Sequence, residues 1–197
     1  MDTARTAHVN RQTKETQIEV ELNLDGDGSY TVNTGIPFFN HLLEIFSKHG
    51  RFDLKIHAEG DIEVDFHHIV EDTGITLGDA FQKSLGLKGG IKRFSWAYMT
   101  MDDALVRVCI DISGRPYLLY NVELIDPVIV HFNANLVKEF LRAFVHSAEI
   151  TLHVDLIRGE NTHHIVEAIY KALAVVLFDA SELIYPEDEI PSTKGIL

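Results

Sequence analysis

The pentapeptide His-His-Ile-Val-Glu occurs twice, at His67 to Glu71 and again at His163 to Glu167, a shift of 96 residues. The flanks repeat in kind. FFNHLLEIFSKHG (38–50), RFDLKIHAEGD (51–61) and FHHIVEDTGITLGDAF (66–81) are matched by NLVKEFLRAFVHSA (135–148), EITLHVDLIRGEN (149–161) and THHIVEAIYKALAVVLF (162–178). Self-similarity at a fixed period constrains a fold more than any local propensity. The chain reads as one half-domain duplicated, residues 1–90 and 91–197, joined near KGGIK (88–92), the two halves making one compact unit.

Hydrophobic periods give the order of elements inside each half. ETQIEVELNL (15–24) alternates as a half-buried strand does. DGDG (25–28) predicts a tight hairpin turn, with SYTVNTG (29–35) as the return strand. Pro37 opens a helix whose apolar residues Phe38, Phe39, Leu42, Leu43, Ile45 and Phe46 have helical spacing, and Gly50 ends it. FDLKIHAEG alternates again, and Asp65 is placed to cap a helix from Phe66 to about Leu85. The second half predicts strands at SWAYMTM, ALVRVCIDI and PYLLYNVEL, a helix over 133–147, a strand over 150–157 and a last helix over 162–183. The order βββαβα, twice, is an α+β pattern, two sheets with the helices packed between them.

On a helix each residue turns about 100°, so the adjacent histidines of HHxxE point in different directions. The glutamate shares a face with either one. Two such helices can serve two ions. The repeat adds His41 on the first helix of one half and Glu139 at the comparable place in the other. The candidate ligands are therefore His41, His67, His68, Glu71, Glu139, His163, His164 and Glu167. Mixed imidazole and carboxylate ligation suits Mn, Fe or Zn, with six-coordination favouring Mn or Fe over structural Zn. A single HH pair is ordinarily a solvent-facing or partly buried polar pair; two copies in a duplicated frame favour metal. The protease signature HExxH is absent.

The net charge of −13 argues against a nucleic-acid partner, and no apolar run approaches the ~20 residues of a membrane helix. One cysteine rules out an intrachain disulfide, and residues 1–15 hold no apolar stretch of the signal type, so the expectation is a cytoplasmic protein.

Taken together, TKET (13–16), GIPFFNHLLEIFSKHG (35–50), DFHHIVEDTGITLGDA (65–80), MDDALVRVCIDISGRPYL (101–118), RGENTHHIVEA (158–168) and PSTKG (191–195) are recognisable. The chain resembles imidazoleglycerol-phosphate dehydratase of histidine biosynthesis over essentially its whole length, in its monofunctional form. The resemblance implies conversion of imidazoleglycerol phosphate to imidazole acetol phosphate and water through a metal-bound imidazolate, with two Mn²⁺ per active site. It implies catalytic work for Glu15 beside the histidines and glutamates of the two motifs. It also implies substrate contacts from His41 and His49, and a phosphate pocket from Arg93, Arg115, Lys171, Ser192 and Lys194, with the C-terminal tail as a lid. Arginine suits phosphate because its planar fork binds two oxygens. The family assembles as a homo-oligomer of twenty-four subunits with sites between subunits.

Two departures stand out. Glu139 occupies a position where some members carry a histidine ligand, and Asn40 one where many carry Asp. Asp102 and Asp103 read mainly as turn residues between strands. The rival readings are a metal-storage or metal-sensing protein and a duplicated RNA-binding module. The basic set Arg93, Arg115 and Lys171 argues against the first, and the acidic charge against the second.

Overall fold

The computed structural model describes residues 5–197. The first half runs β1 (Thr6–Gln12), β2 (Thr16–Asn23), β3 (Tyr30–Asn33), α1 (Pro37–Gly50), β4 (Asp53–Gly60) and α2 (His67–Leu85). The second runs β5 (Phe94–Met101), β6 (Ala104–Asp111), β7 (Tyr117–Asn121), a two-stranded ribbon β8 (Val128–Ile129) and β9 (Phe132–Asn133), α3 (Leu136–Ala148), β10 (Thr151–Arg158) and α4 (Thr162–Ser181). The duplicated βββαβα order is present, with the ribbon inserted in the second copy.

The two large sheets have the same topology. Their strand orders are β1-β2-β4-β3 and β5-β6-β10-β7, each antiparallel except for the parallel last pair. Each turns one apolar face inward: Ile18, Val20 and Leu22 with Leu54 and Ile56 in one, Val106, Val108 and Ile110 with Leu152 and Val154 in the other. The four helices lie between them, α2 against β1 and β2, and α4 against β5 and β6. Across the middle, helices pair between halves, α2 with α3 and α1 with α4. A single buried core therefore runs through both repeats, including Phe39, Phe46, Phe81, Phe140, Phe144 and Tyr170.

Close approach of α2 and α3 depends on two glycines one turn apart. A Cβ on Gly74 would lie 2.7 Å from the Phe140 carbonyl oxygen, and one on Gly78 2.6 Å from that of Phe144. The repeat is preserved at the helix ends too. Arg51 after α1 and Glu149 after α3 both take the left-handed conformation, at φ 56° and 55°, which ends a helix by turning the chain sharply.

The expected hairpin at DGDG does not form. β3 does not return along β2; it crosses to the far edge of the sheet and pairs parallel with β4, Val32 opposite Ile56. Asp53, at the start of β4, explains the route. Its Oδ1 accepts the N–H groups of Asp27 at 3.0 Å and Ser29 at 3.1 Å, and its Oδ2 accepts the Asn23 amide. The loop thus wraps around a carboxylate from a third strand instead of closing on its own. β2 takes its antiparallel partners from β1 and β4 instead, Val20 facing Val9 on one side and Ile56 on the other. β1 has no clear apolar alternation, since Val9 is its single buried residue, which is why periodicity does not reveal it.

Helix bounds shift for local reasons. The helix expected over 133–147 starts at Leu136, because Phe132 and Asn133 are used in the ribbon. α4 ends at Ser181, two residues early, because Leu183 bridges to Ile91 and the Glu182 carbonyl accepts the Lys92 N–H. Asp65 lies two residues before α2 and accepts the His67 N–H at 2.8 Å. Among the described residues, no helix is long and apolar enough to cross a membrane.

Candidate active site

The second HHIVE motif begins α4, where the Asn161 side chain accepts the N–H groups of His163 and His164. This cap starts the helix immediately at the motif and sets the direction of both rings. His163 and Glu167, one turn apart, meet at 2.8 Å between Nε2 and Oε1. The same Glu167 oxygen accepts from His41 Nε2 of α1 at 3.0 Å, and Lys171 Nζ lies 3.2 Å from the other oxygen. The ligand atoms of His41, His163 and Glu167 all lie within 4.8 Å of one another. The Phe38 ring walls the group, its centroid 5.2 Å from that of His163.

Glu167 is the buried member of the trio. Burial alone would push its carboxyl up, but hydrogen bonds from His41, Lys171 and His163 outweigh that and hold it below the ordinary carboxylate value. His49, two turns after His41 on α1, feels the same group. Its own burial, and then the Lys171 ammonium, hold its imidazole down, partly offset by Glu167.

The first HHIVE motif is more open. His67 Nε2 stands 3.7 Å from Glu71 Oε2. Facing His67 across a cleft of about 310 Å³ are His131 and Asn133 of the ribbon. Glu139 does not join this motif: it pairs with Arg142 one turn further along α3, and belongs to no cluster of three or more His and carboxylate ligands among the described residues. In one chain, therefore, the eight sequence-predicted ligands do not converge on two complete ion sites.

The second histidine of each motif has a different environment. His68 Nδ1 donates to Asp61, at 3.0 and 3.1 Å from its two oxygens, and its Nε2 is 3.9 Å from Glu15 Oε2. His164 Nδ1 donates to Asp103 Oδ1 at 2.6 Å, and its Nε2 is 3.5 Å from Asp102 Oδ2. The Asp61 hydrogen bond raises the His68 pKa. Asp103 also accepts the N–H groups of Glu160 and Asn161, and these bonds with that from His164 drive its carboxyl far below the ordinary range. Asp102 and Asp103 do form the β5–β6 turn, with Asp102 at φ 48°, yet Asp103 also orients a motif histidine. Asp61 carried no sequence signal of its own, since it lies in a loop after a strand.

Glu15 sits in the β1–β2 turn. Thr13 Oγ1 accepts the N–H groups of Glu15 and Thr16, and Thr16 Oγ1 donates to buried Asp72 of α2, which Arg11 also meets at 2.9 Å. Asp72 directly follows Glu71, so one carboxylate ties the Glu15 turn to the motif helix.

The sequence-predicted phosphate residues fall into two places. Arg93 binds Asp111 at 2.7 Å and donates to the Pro191 carbonyl at 2.7 Å, and Arg115 reaches within 3.8 Å of the same Asp111. The tail follows: Ser192 Oγ accepts the Lys194 N–H, and Leu197 lies against Gly114. Lys171 stands instead beside Glu167.

The family model for imidazoleglycerol-phosphate dehydratase matches residues 34–177. A curated imidazoleglycerol-phosphate dehydratase of Caldanaerobacter subterraneus is 58% identical over 193 residues, covering 98% of this chain and 100% of the relative. That of Caldicellulosiruptor saccharolyticus is 52% identical, covering 98% and 99%. The crystal structure of the Staphylococcus aureus enzyme aligns at TM-score 0.82 and 39% identity, over 92% of this chain and 99% of that one. That of the Pyrococcus furiosus enzyme, in complex with (S)-C348, aligns at 0.82 and 37%, over 96% and 100%. With the duplicated fold and the paired motifs, these likenesses show that the chain belongs to the imidazoleglycerol-phosphate dehydratase family, hydro-lyases of histidine biosynthesis.

Proposed function

We propose that this chain dehydrates imidazoleglycerol phosphate to imidazole acetol phosphate with two divalent ions per site, Mn²⁺ by preference. The observation that carries the metal reading is the meeting of His41, His163 and Glu167 within 4.8 Å. Two imidazoles and a buried carboxylate, brought together from helices of opposite halves, fit a six-coordinate ion with positions left for substrate. Bound there, the ion supplies Lewis acidity toward the substrate's imidazole and oxygen, which matters because the proton removed is unactivated and hydroxide leaves poorly.

The chain's own groups do the rest. Glu15 takes the proton at its carboxylate, a role supported by its half-exposed place beside His68. Arg93 and Arg115, both drawn to Asp111, grip the phosphate with Ser192 and Lys194, and the tail covers it. Lys171 and His49 flank the reacting end of the substrate from beside Glu167.

The active unit is a twenty-four-subunit assembly with sites between copies. The support is the incompleteness of one chain: α2 pairs with α3 and α4 with α1, so the motifs sit on separate helix pairs, and one ligand trio of the eight candidates converges.

The test is a dehydratase assay on metal-stripped protein. Turnover that returns with added Mn²⁺ is the expected result. Full turnover in the stripped protein, or none after Mn²⁺ is restored, overturns the metal reading.

A further inference from the structure

The two motif helices use their histidines in the same divided way. The first histidine turns Nε2 toward the glutamate four residues on, 3.7 Å for His67 and 2.8 Å for His163. The second anchors its other nitrogen. His68 Nδ1 is bound by Asp61 and His164 Nδ1 by Asp103, each leaving Nε2 beside a carboxylate of a strand turn.

The two aspartates are not copies of each other. Asp61 follows β4, whereas Asp103 belongs to the β5–β6 turn. The repeat shift would carry Asp61 to Ile157, not to Asp103. The same hydrogen bond is thus made twice from different parts of the half-domain, so duplication alone does not account for it.

A carboxylate accepts and never donates, and a neutral imidazole carries one N–H. An aspartate at Nδ1 therefore places the proton there and leaves the lone pair on Nε2. We infer that Asp61 and Asp103 are positioning residues that hold His68 and His164 as Nδ1–H tautomers, each presenting a free Nε2 as ligand. This rests on the reading of these histidines as metal ligands. Outer partners of this kind orient a ligand ring and raise its basicity.

The test uses Asp103→Asn and Asp61→Leu. In Asp103→Asn the amide oxygen still accepts the N–H groups of Glu160 and Asn161, which keeps the loop and turns the NH₂ toward His164 Nδ1; that nitrogen must then accept, so the proton moves to Nε2 and blocks it. The Asp61 side chain bonds only His68 among the described residues, so Asp61→Leu removes the acceptor that fixes the proton on Nδ1, and Glu15, 3.9 Å from Nε2, draws the proton there instead. Solid-state NMR of ¹⁵N-histidine-labelled, metal-free protein reads the tautomers directly. Wild type should show Nδ1–H at both positions, and each variant should lose it at one. Mn²⁺ affinity should then fall about 10- to 100-fold in each variant. Unchanged tautomers, or changed tautomers with unchanged Mn²⁺ affinity, overturn the inference. If wild type binds no Mn²⁺, the metal reading fails by itself, while the tautomer spectra still decide whether the aspartates hold the rings.

Discussion

His41 and Glu167 are 126 residues apart in sequence, yet His41 Nε2 and Glu167 Oε1 are 3.0 Å apart in the fold. α1 and α4 pack together across the repeat boundary, so the first half completes a ligand group that the second half begins. Neither half holds this trio alone.

Glu167→Gln keeps the shape of the side chain and removes its charge. The variant should lose about one of the two ions and at least about 10²-fold in kcat, because Lewis-acid stabilisation is worth several kcal/mol. Metal analysis beside the kinetics checks it. Full metal content with normal turnover would remove Glu167 from the ligand set.

Arg115 is well exposed; its guanidinium donates to the Ser113 carbonyl at 3.1 Å and is only loosely tied to Asp111, which leaves donors facing solvent for a phosphate. Arg115→Ala should raise KM by about 10- to 100-fold, the value of a charge-assisted hydrogen bond, with metal content intact. An unchanged KM assigns the phosphate elsewhere.

Asp72 accepts from both Arg11 and Thr16 and so fastens the Glu15 turn to α2. Asp72→Ala leaves those donors without their acceptor, which costs about 1–3 kcal/mol. It should also lower kcat more than it changes KM, since Glu15 loses its support. Equal stability and turnover in the variant would mean the turn holds itself.

Gly74→Ala tests the helix contact. The added methyl carbon would stand 2.7 Å from the Phe140 carbonyl oxygen, so α2 and α3 must separate. The expected loss is about 1–3 kcal/mol by denaturant titration. Unchanged stability would show that the interface relaxes without strain.

Asp53 gives a pH-dependent prediction. Burial opposes its charge, but the N–H groups of Asp27 and Ser29 and the Asn23 amide prevail, and its pKa lies below the ordinary 3.8. A carboxyl depressed in the folded state adds stability that is fully present above its unfolded pKa and is lost as pH falls through the folded value. Asp53→Asn should therefore melt below wild type at pH 7, with the gap closing as pH drops below about 4. A gap that stays constant down to pH 3 would contradict the assignment.

The residues themselves determined the duplication, the alternation of strands and helices in each half apart from β1, the inward strand faces and the paired HHxxE motifs at the starts of two helices, because periodicity and repetition are local and survive without coordinates. Pro37 and Asp65 act where their local chemistry says they should, whereas the left-handed residue that ends α1 is Arg51 and not Gly50. Only the tertiary structure decided the rest. DGDG has the composition of a hairpin, yet Asp53 of β4 captures its N–H groups and sends β3 to the far edge. Asp61 and Asp103 look like loop and turn residues until two imidazoles arrive at their oxygens. In each case the outcome rests on a partner distant in sequence, which spacing along the chain does not encode.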